Sequence, residues 1–180
     1  MAWSKKPDFT AHELRDMVNY DPETGSFTWK WSDLFSNRRN LQWGGKPAGS
    51  IEAQGYVVLV IKGRNYKGHL LAWYHMTGEW PTEQVDHRDT VRSNNAWDNL
   101  RPATNQENQF NKGPNKNNRS GFKGVFLASN PTRSRPWMAK IRAEGKNVHL
   151  GYFETAELAQ AAYYARAVQL AGDFASVGNN

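Results

Sequence analysis

The sequence of 180 residues contains no cysteine. This absence excludes disulfide bonds and thiolate zinc sites, and it is compatible with a reducing compartment. Long apolar segments are also missing, because no run approaches the roughly 20 residues that span a bilayer. Met1 to Lys6 lack a following apolar core. The sequence therefore predicts neither a secretory signal nor a membrane association.

Apolar residues are scarce as well. They make up 38% of the chain, which is little for one large core, yet tryptophan occurs eight times. Each tryptophan buries a large area and can anchor a small core. A chain of this length holds one ordinary domain or two small ones. We therefore expect two compact modules that are connected by polar segments.

Acidic residues are nearly absent from one stretch of the chain. Residues 1–111 carry 13 basic and 13 acidic residues, whereas residues 112–146 carry nine basic residues against Glu144 alone. The net charge of +6 therefore arises from this stretch. A basic block of this density favours binding to a polyanion. No apolar helical face accompanies the charges, so nucleic acid is favoured over a membrane surface, and a solvated loop is the alternative.

Four residues suited to hydrolytic chemistry lie close together near the middle of the chain. Asp86, His87, Asn99 and Asn108 fall within 23 residues. Carboxylate and amide oxygens suit Mg²⁺, which keeps several waters and needs only one or two protein ligands beside a substrate phosphate. An imidazole can take a proton from water near neutral pH. The group predicts metal-assisted hydrolysis, and the alternative is a histidine that is hydrogen-bonded in a turn.

Local signals place these residues on defined elements. Gln84–His87 is typical of a short strand. A loop with turns follows, because asparagine and aspartate tolerate the left-handed region. The residues that carry this signal are Asn94, Asn95, Asp98 and Asn99. Thr104 and Glu107 predict a capping box, which puts Asn108 about one turn inside a helix.

The spacing of these residues resembles that of the HNH endonuclease family. The resemblance is greatest to the phage and intron-encoded (homing) subgroup, in which the last histidine is replaced by asparagine. It rests on Val85-Asp86-His87, on Asp98-Asn99-Leu100-Arg101, and on Thr104 with Glu107-Asn108. It extends upstream through Tyr20-Asp21-Pro22-Glu23-Thr24-Gly25 and His69-Leu70-Leu71-Ala72-Trp73, and so covers most of residues 10–111.

This resemblance implies a ββα-metal nuclease fold in which four residues have defined roles. His87 would be the general base that activates water. Asp86 and Asn108 would hold one divalent ion, Mg²⁺ or Mn²⁺, against the scissile phosphate. Asn99 would hold the loop in place rather than contact the substrate. Asn108 stands where the three-letter pattern has histidine, so this metal ligand is weaker and neutral.

The first module, residues 1–111, is expected to place an N-terminal helix and hairpins around this centre. Thr10 and Glu13 predict a capped helix. Residues 32–50 predict a loop, which either contacts DNA or is a mobile surface segment. His69 and His75 are expected to be structural residues, because histidines on a helix or strand edge usually are.

Residues 112–121 predict a basic linker, because they lack apolar residues apart from structure-breaking glycine and proline. Lys112, Lys116 and Arg119 would lie along DNA phosphates, and a passive tether is the alternative.

The second module, residues 122–178, is predicted to contain three strands and a helix. The predicted strands are Phe122–Phe126, Trp137–Ala143 and Lys146–Phe153. The helix, residues 156–170, is expected to bury a face formed by Leu158, Ala161, Ala162, Ala165 and Val168.

This second region, roughly residues 119–178, resembles the APETALA2/ERF-type DNA-binding domain. The resemblance rests on Gly121-Phe122-Lys123-Gly124-Val125, Trp137-Met138-Ala139-Lys140-Ile141-Arg142, Leu150-Gly151-Tyr152-Phe153 and the alanine-rich helix. It implies a three-stranded sheet that enters the major groove. By position, Lys123, Trp137, Lys140 and Arg142 would contact DNA. Lys123 stands where the family usually has arginine, which implies weaker base readout and more phosphate anchoring.

The expected fold class is therefore α+β, with a ββα-metal (HNH) nuclease module followed by a small three-stranded sheet plus helix module that binds DNA. The expected function is a metal-dependent endonuclease that nicks one strand of double-stranded DNA as a monomer. The family resemblance places it in the cytoplasm of a phage-infected bacterial host. Two alternatives stay open: a DNA-binding regulator with a degenerate nuclease centre, and a structural RNA-binding protein.

Overall fold

The computed structural model describes residues 6–115, 117–129 and 134–176. Contacts within the chain divide it into two compact units, Met1–Ala103 and Thr104–Asn180. Each unit combines helices with small antiparallel sheets, so the predicted α+β class is confirmed. The division falls before residue 111 because Phe110 packs into the core of the second unit. The limits of the nuclease and DNA-binding domains stay a prediction.

The first unit contains three helices and seven short strands in its described part. The helices are α1 (Ala11–Met17), α2 (Asn37–Trp43) and α3 (Gly68–Thr77). The strands are β1 (Val18–Tyr20), β2 (Phe27–Trp29), β3 (Ser50–Ile51), β4 (Val57–Ile61), β5 (Arg64–Lys67), β6 (Gln84–His87) and β7 (Leu100–Ala103). A 3₁₀ turn at Trp97–Asn99 leads into β7.

Three antiparallel sheets surround one core in this unit. Two of the sheets have two strands each, β1–β2 and β6–β7, and the third has three strands in the order β3–β4–β5. The largest fully buried side chains come from α1, β4 and α3, and include Leu14, Met17, Leu59, Ile61 and Leu71. Helices α1 and α3 pack on each other, and α3 also contacts β4, β5 and β6. The core therefore supports the strand β6, which carries Asp86 and His87.

The helix ends of the first unit follow the sequence signals. The capping box at α1 is confirmed, because Thr10 accepts from the backbone N–H of Glu13 and the Glu13 side chain accepts from the Thr10 backbone. Helix α3 ends at Gly78, which adopts φ +80°. Glycine takes this left-handed conformation without a steric penalty.

The prediction that residues 32–50 form a loop is wrong in part, because they contain α2. Ser36 caps this helix by accepting from the backbone N–H of Arg39. The Asn40 side chain bonds Ser32 twice, at 3.2 Å and 2.9 Å. Leu41 remains 74% exposed, so the helix lacks the apolar face that sequence periodicity detects. Polar contacts from its cap and from Asn40 hold it instead.

The second unit contains one sheet and two helices in its described part. The elements are α4 (Asn105–Asn111), β8 (Val125–Leu127), β9 (Trp137–Ala143), β10 (Lys146–Phe153) and α5 (Ala156–Ala171). The strands form an antiparallel sheet in the order β10–β9–β8, and α5 packs against it. The limits predicted for β9 and β10 are confirmed.

The face of α5 that packs on the sheet differs from the predicted one. The buried residues are Ala156, Ala159, Tyr163 and Ala167. Leu158 and Val168 are 52% and 42% exposed, so the predicted face of Leu158, Ala161, Ala162, Ala165 and Val168 is wrong. Tyr163 decides the rotation of the helix because its ring fills the space above Gly124, where a Cβ atom would lie 2.3 Å from it.

None of the helices in the described ranges is long and apolar enough to cross a membrane.

Candidate active site

The strands β6 and β7 bring Asp86 and His87 into the interior of the first unit. They pair in antiparallel register, with Asp86 opposite Arg101 and His87 opposite Leu100. Both Asp86 and His87 are buried. The predicted strand at Gln84–His87 is therefore confirmed. Two ionisable groups in adjacent buried positions need partners, because burial of a polar group without one is costly.

Arg101 is the partner of Asp86. Its Nε and Nη2 atoms donate to the same carboxylate oxygen, Oδ2, each at 3.1 Å. Both side chains are almost fully buried. The ion pair fixes the orientation of the carboxylate and compensates its charge. A carboxylate has about four lone-pair sites, so contacts with Arg101 and with a metal ion are chemically compatible.

His87 is held by a buried amide. Its Nε2 atom lies 3.2 Å from Oδ1 of Asn95. Burial lowers the pKa of His87 below 6.5, while the hydrogen bond to Asn95 and the charges of Asp86 and Asp89 act in the opposite direction. The imidazole is therefore neutral near pH 7. A neutral imidazole is the form that can accept a proton from water.

Two aromatic rings pack against His87, and neither was among the predicted site residues. The His69 ring lies edge-on to His87, with centroids 4.9 Å apart. The Tyr56 ring lies 5.3 Å from His69 and 6.2 Å from His87. Burial, then the charges of His87 and Lys67, lower the pKa of His69 well below 6.5. The burial of His69 agrees with a structural residue, but its position makes it part of the wall around His87.

Two cations flank the ring of Tyr56. The Lys67 ammonium lies 3.7 Å from the centroid of Tyr56, and the Arg92 guanidinium lies 5.0 Å from it. Lys67 also pairs with Glu52 at 3.5 Å, and Arg92 donates to the Gln54 carbonyl at 2.8 Å. These contacts hold both positive charges beside the two histidines. Such an arrangement favours the approach of an anion, and a phosphodiester is one.

The loop after β6 is held together by Asp89 and Asn99. The Asn99 amide donates to Asp89 Oδ1 at 2.9 Å and to the Asn94 carbonyl at 2.8 Å. The Asp89 backbone N–H donates to the Asn99 side chain at 3.0 Å. Burial would raise the pKa of Asp89, but hydrogen bonds from Asn94 and Asn99 bring it below its ordinary value. Asn99 thus makes the contacts expected of a residue that holds the loop, and its part in catalysis stays a prediction.

Asn108 lies on α4 in the second unit. The predicted capping box is confirmed, because Thr104 accepts from Glu107 N–H and Glu107 bonds back to Thr104. The backbone N–H of Asn108 donates to the Thr104 carbonyl at 3.0 Å, which places the residue one turn inside the helix. Its role as a metal ligand stays a prediction from the motif.

The donor set decides which metal ion these residues could hold. Within the described ranges, the structure has no group of three or more His, Cys, Asp or Glu side chains placed to bind a metal ion. A cage made only of such ligands is therefore absent from this part of the chain. One carboxylate and one amide, completed by water and a substrate phosphate, fit the needs of Mg²⁺.

Two of the residues predicted to contact DNA are exposed on the sheet of the second unit. Along β9, Ala139, Ile141 and Ala143 are buried. Lys140 and Arg142 alternate with them and are exposed on the opposite face. Both side chains can therefore reach a nucleic acid.

Trp137 and Lys123 have other contacts. Trp137 packs against the core cluster that includes Val125 and Ala139, because it points to the side of the sheet covered by α5. The Lys123 ammonium donates to three backbone carbonyls at the end of α4, those of Gln109, Phe110 and Lys112. Burial, then the charge of Lys112, lower the pKa of Lys123 to about 8. These contacts give both side chains a structural use.

The predicted linker contacts fall on irregular backbone. Lys112 and Arg119 are exposed, and Lys116 lies outside the described residues. Asn118 and Ser120 bond the backbone of Phe122 and Val125, which ties the end of this segment to the sheet. The role of these three basic residues in DNA binding stays a prediction.

Comparison with known proteins identifies the segment that holds the candidate site. Residues 66–110 match the HNH endonuclease family, and this segment contains Asp86, His87, Asn99 and Asn108. The chain is also similar to Protein 3.8 of Escherichia phage T7, with 33% identity over 108 residues, which are 59% of this chain and 86% of the phage protein. No solved structure matches the chain significantly. The chain therefore belongs to the family of the phage T7 Protein 3.8, and its residues 66–110 form an HNH endonuclease domain.

Proposed function

We propose that the chain is a metal-dependent DNA endonuclease that hydrolyses one phosphodiester bond at a time. The observation that carries this proposal is the setting of His87 within the HNH segment. Its imidazole is buried, has a pKa below 6.5, and bonds Asn95 through Nε2. The other ring nitrogen, Nδ1, then carries the lone pair that a general base needs.

In this mechanism His87 takes a proton from the attacking water. The water oxygen forms a bond with phosphorus, the bond between phosphorus and the leaving sugar oxygen breaks, and solvent protonates that oxygen. Lys67 and Arg92 attract the phosphodiester to the histidines and hold it there. A divalent ion held by Asp86 and Asn108, Mg²⁺ or Mn²⁺, would supply Lewis-acid stabilisation of charge on the phosphate.

Double-stranded DNA is the proposed substrate, and the second unit is proposed to hold it. The exposed Lys140 and Arg142 would contact phosphates and base edges, in the manner implied by the APETALA2/ERF resemblance. Lys112, Lys116 and Arg119 would follow the backbone. Trp137 and Lys123 stay predicted contacts from the same resemblance, with Trp137 packed against the core of the second unit and Lys123 bonded to the end of α4. The phage relative supports a role in the cytoplasm of an infected bacterium.

A second candidate function is a DNA-binding regulator whose nuclease centre is inactive. The observation that favours it is the ion pair between Asp86 and Arg101, which already compensates the charge that a metal ion would meet. The two functions differ in one measurable property. The nuclease cuts DNA when a divalent ion is present, and the regulator binds DNA under all conditions without cutting it.

The experiment measures conversion of supercoiled plasmid to open circles by the full-length protein with Mg²⁺, with Mn²⁺, and with EDTA. We expect cutting with at least one ion and none with EDTA. Asp86→Asn should raise the metal concentration needed for half-maximal rate, because the ligand loses its charge. Asp98→Asn, at an exposed position in the same segment, is the matched control and should behave as the wild type. Binding without cutting under every metal condition would support the regulator.

A further inference from the structure

Asn95 is the most deeply buried polar residue in the described part of the chain, at 1% exposure. It lies in the loop between β6 and β7, outside the residues that carry the HNH resemblance. In the sequence it is one of several asparagine and aspartate residues that indicate a turn. Its burial needs another explanation, because asparagines in turns are mostly exposed.

The backbone of Asn95 is fixed by the first hairpin. The Tyr20 hydroxyl donates to the Asn95 carbonyl at 2.6 Å, in a contact between residues 75 positions apart. Gly25 lies directly against the same backbone, since a Cβ atom there would lie 2.3 Å from the Asn95 carbonyl carbon. Gly25 also adopts φ +71°, which other residues rarely do. The β1–β2 hairpin therefore holds the loop at this residue.

The side chain of Asn95 is fixed by α3 and by His87. A Cβ atom on Gly68 would lie 2.8 Å from Asn95 Nδ2, so the absence of a side chain at Gly68 makes room for the amide. Asn95 Nδ2 forms no hydrogen bond within the described residues. Oδ1 lies 3.2 Å from Nε2 of His87. The one hydrogen bond of this buried side chain is thus directed at the imidazole.

The chemistry of an amide oxygen fixes the state of the ring. Oδ1 can only accept, so Nε2 of His87 must carry the proton. The lone pair of the neutral ring then lies on Nδ1. The partner of one ring nitrogen sets which nitrogen is basic and how the ring is oriented.

We propose that Asn95 is a positioning residue that holds the His87 ring in place and in the Nε2–H tautomer, so that Nδ1 is the nitrogen with the basic lone pair. Tyr20 and Gly25 serve the same purpose by anchoring the Asn95 backbone. The kinetic consequence rests on the proposed nuclease function. The tautomer does not depend on it, because it can be read in the protein without substrate.

The first test is the tautomer of His87 by nuclear magnetic resonance. Full-length protein labelled with ¹⁵N-histidine gives long-range ¹H–¹⁵N correlations that identify the protonated nitrogen, and His87→Gln assigns the signal among the five histidines. At pH 8 the wild type should show a single Nε2–H form. Asn95→Leu, which has a similar shape but no acceptor, should give a mixture, and Asn95→Asp should restore Nε2–H. An Nδ1–H ring in the wild type would overturn the proposal even if no variant folds.

The second test is the single-turnover rate of strand cleavage at saturating DNA. Asn95→Leu should lower the rate by about 10- to 100-fold, by analogy with the loss that follows removal of a partner that orients a metal-binding histidine. DNA affinity should change less than twofold, because Asn95 is buried. Tyr20→Phe removes only the anchoring hydroxyl and should have a smaller effect of the same kind. Asn19→Ala, at the exposed neighbour of Tyr20, is the matched control.

The two tests separate the positioning role from the nuclease function. A wild type that never cuts, yet shows the Nε2–H ring and loses it in Asn95→Leu, would remove the nuclease function and keep the positioning role. The opposite result is a wild type that cuts DNA and a folded Asn95→Leu variant with the same cleavage rate and the same tautomer. It would keep the nuclease function and remove the positioning role of Asn95.

Discussion

At the scale of single residues, the candidate site consists of buried polar side chains that depend on one another. Asp86 is compensated by Arg101, and His87 is held by Asn95. Removing one member of a buried ion pair typically costs about 3–5 kcal/mol, because the other charge stays buried. Variants at Asp86 or Arg101 therefore need a stability measurement beside any activity measurement. His87 is the better residue for a functional test, since its neutral ring leaves no unpaired charge when it is removed.

His69 leads to a prediction about acid stability. Its folded-state pKa lies well below 6.5, mainly because of burial. As pH falls below 6.5, the unfolded chain takes up a proton at His69 and the folded chain does not. The free energy of unfolding therefore decreases toward acid, by up to about 1.4 kcal/mol per pH unit for one such group. Above pH 6.5 this effect is absent.

Chemical denaturation at pH 7.5, 6.0 and 5.0 measures this effect. His69→Phe keeps a ring of similar shape and should show a flatter decline between pH 6.5 and 5 than the wild type. His75 also has a lowered pKa, chiefly from burial, so part of the decline should remain. His12→Gln, with an 86% exposed side chain, should decline as the wild type does. A decline in His69→Phe as steep as in the wild type would contradict the assignment.

At the scale of elements, the sequence predicted the features that depend on neighbouring residues, namely helix caps and strand limits. The capping boxes at Thr10 and Thr104 are present, and β9 and β10 have the predicted limits. The face of α5 was not predictable from the spacing of its alanines. The helix carries apolar residues on more than one side. The packing of Tyr163 over Gly124 determines which of these sides is buried against the sheet. Such an interaction joins distant parts of the chain and leaves no local pattern.

The same limit applies to the candidate site. The motif indicated Asp86, His87, Asn99 and Asn108, because these residues lie at fixed spacings. It gave no role at the site to Tyr56, Arg92 or Asn95, and His69 was expected to be structural only. Folding brings Tyr56 and His69 to His87 from earlier elements, and turns the loop after β6 so that Arg92 and Asn95 lie near the same ring. Gly25 and Gly68 were the available signals for Asn95, since each leaves room for it. Each glycine indicates a close contact, but the sequence does not show that the residue in contact is Asn95.

The exposed face of β9 leads to a prediction about DNA binding. Replacing both Lys140 and Arg142 with alanine should weaken binding to duplex DNA and reduce its dependence on salt. The slope of log affinity against log salt should fall in magnitude by about 0.9 for each phosphate that the variant no longer neutralises. The stability of the protein should change little, because both side chains are exposed.

Fluorescence anisotropy with a labelled duplex at several salt concentrations gives this slope. Arg166→Ala is the matched control, because Arg166 lies on α5, which covers the other face of the sheet. It should leave the slope unchanged. If the double variant keeps the wild-type slope, the phosphates are bound elsewhere, and Lys112 and Arg119 become the next candidates.

At the scale of the whole molecule, the basic charge is concentrated in a part of the chain that lies outside the HNH segment. The first 111 residues are electrically balanced, whereas residues 112–146 carry nine basic residues and one acidic residue. The balanced part contains the HNH segment, and the basic part contains the exposed face of β9. Binding that depends on the basic part should be strongly salt-dependent, while the rate of cutting at saturating DNA should not be.

One candidate centre per chain leads to a prediction about products. A monomer should nick one strand, so open circles should accumulate from supercoiled plasmid before linear DNA appears. The rate should be proportional to protein concentration below saturation. Gel electrophoresis over time measures the products, and sedimentation at the same concentration measures the mass. Linear DNA that appears as early as open circles, or a stable dimer of this 20.5 kDa chain, would contradict the prediction.

The most direct test of the account compares plasmid cutting by the wild type, His87→Ala and His12→Ala. The metal ion is the same, and protein concentrations are adjusted to equal DNA occupancy. The account predicts that the wild type and His12→Ala produce open circles, and that His87→Ala binds DNA equally but cuts it at least about 100-fold more slowly, since a general base contributes about 10²–10⁴-fold. Cutting by His87→Ala at the wild-type rate would show that His87 is not the base and would contradict the proposed active site.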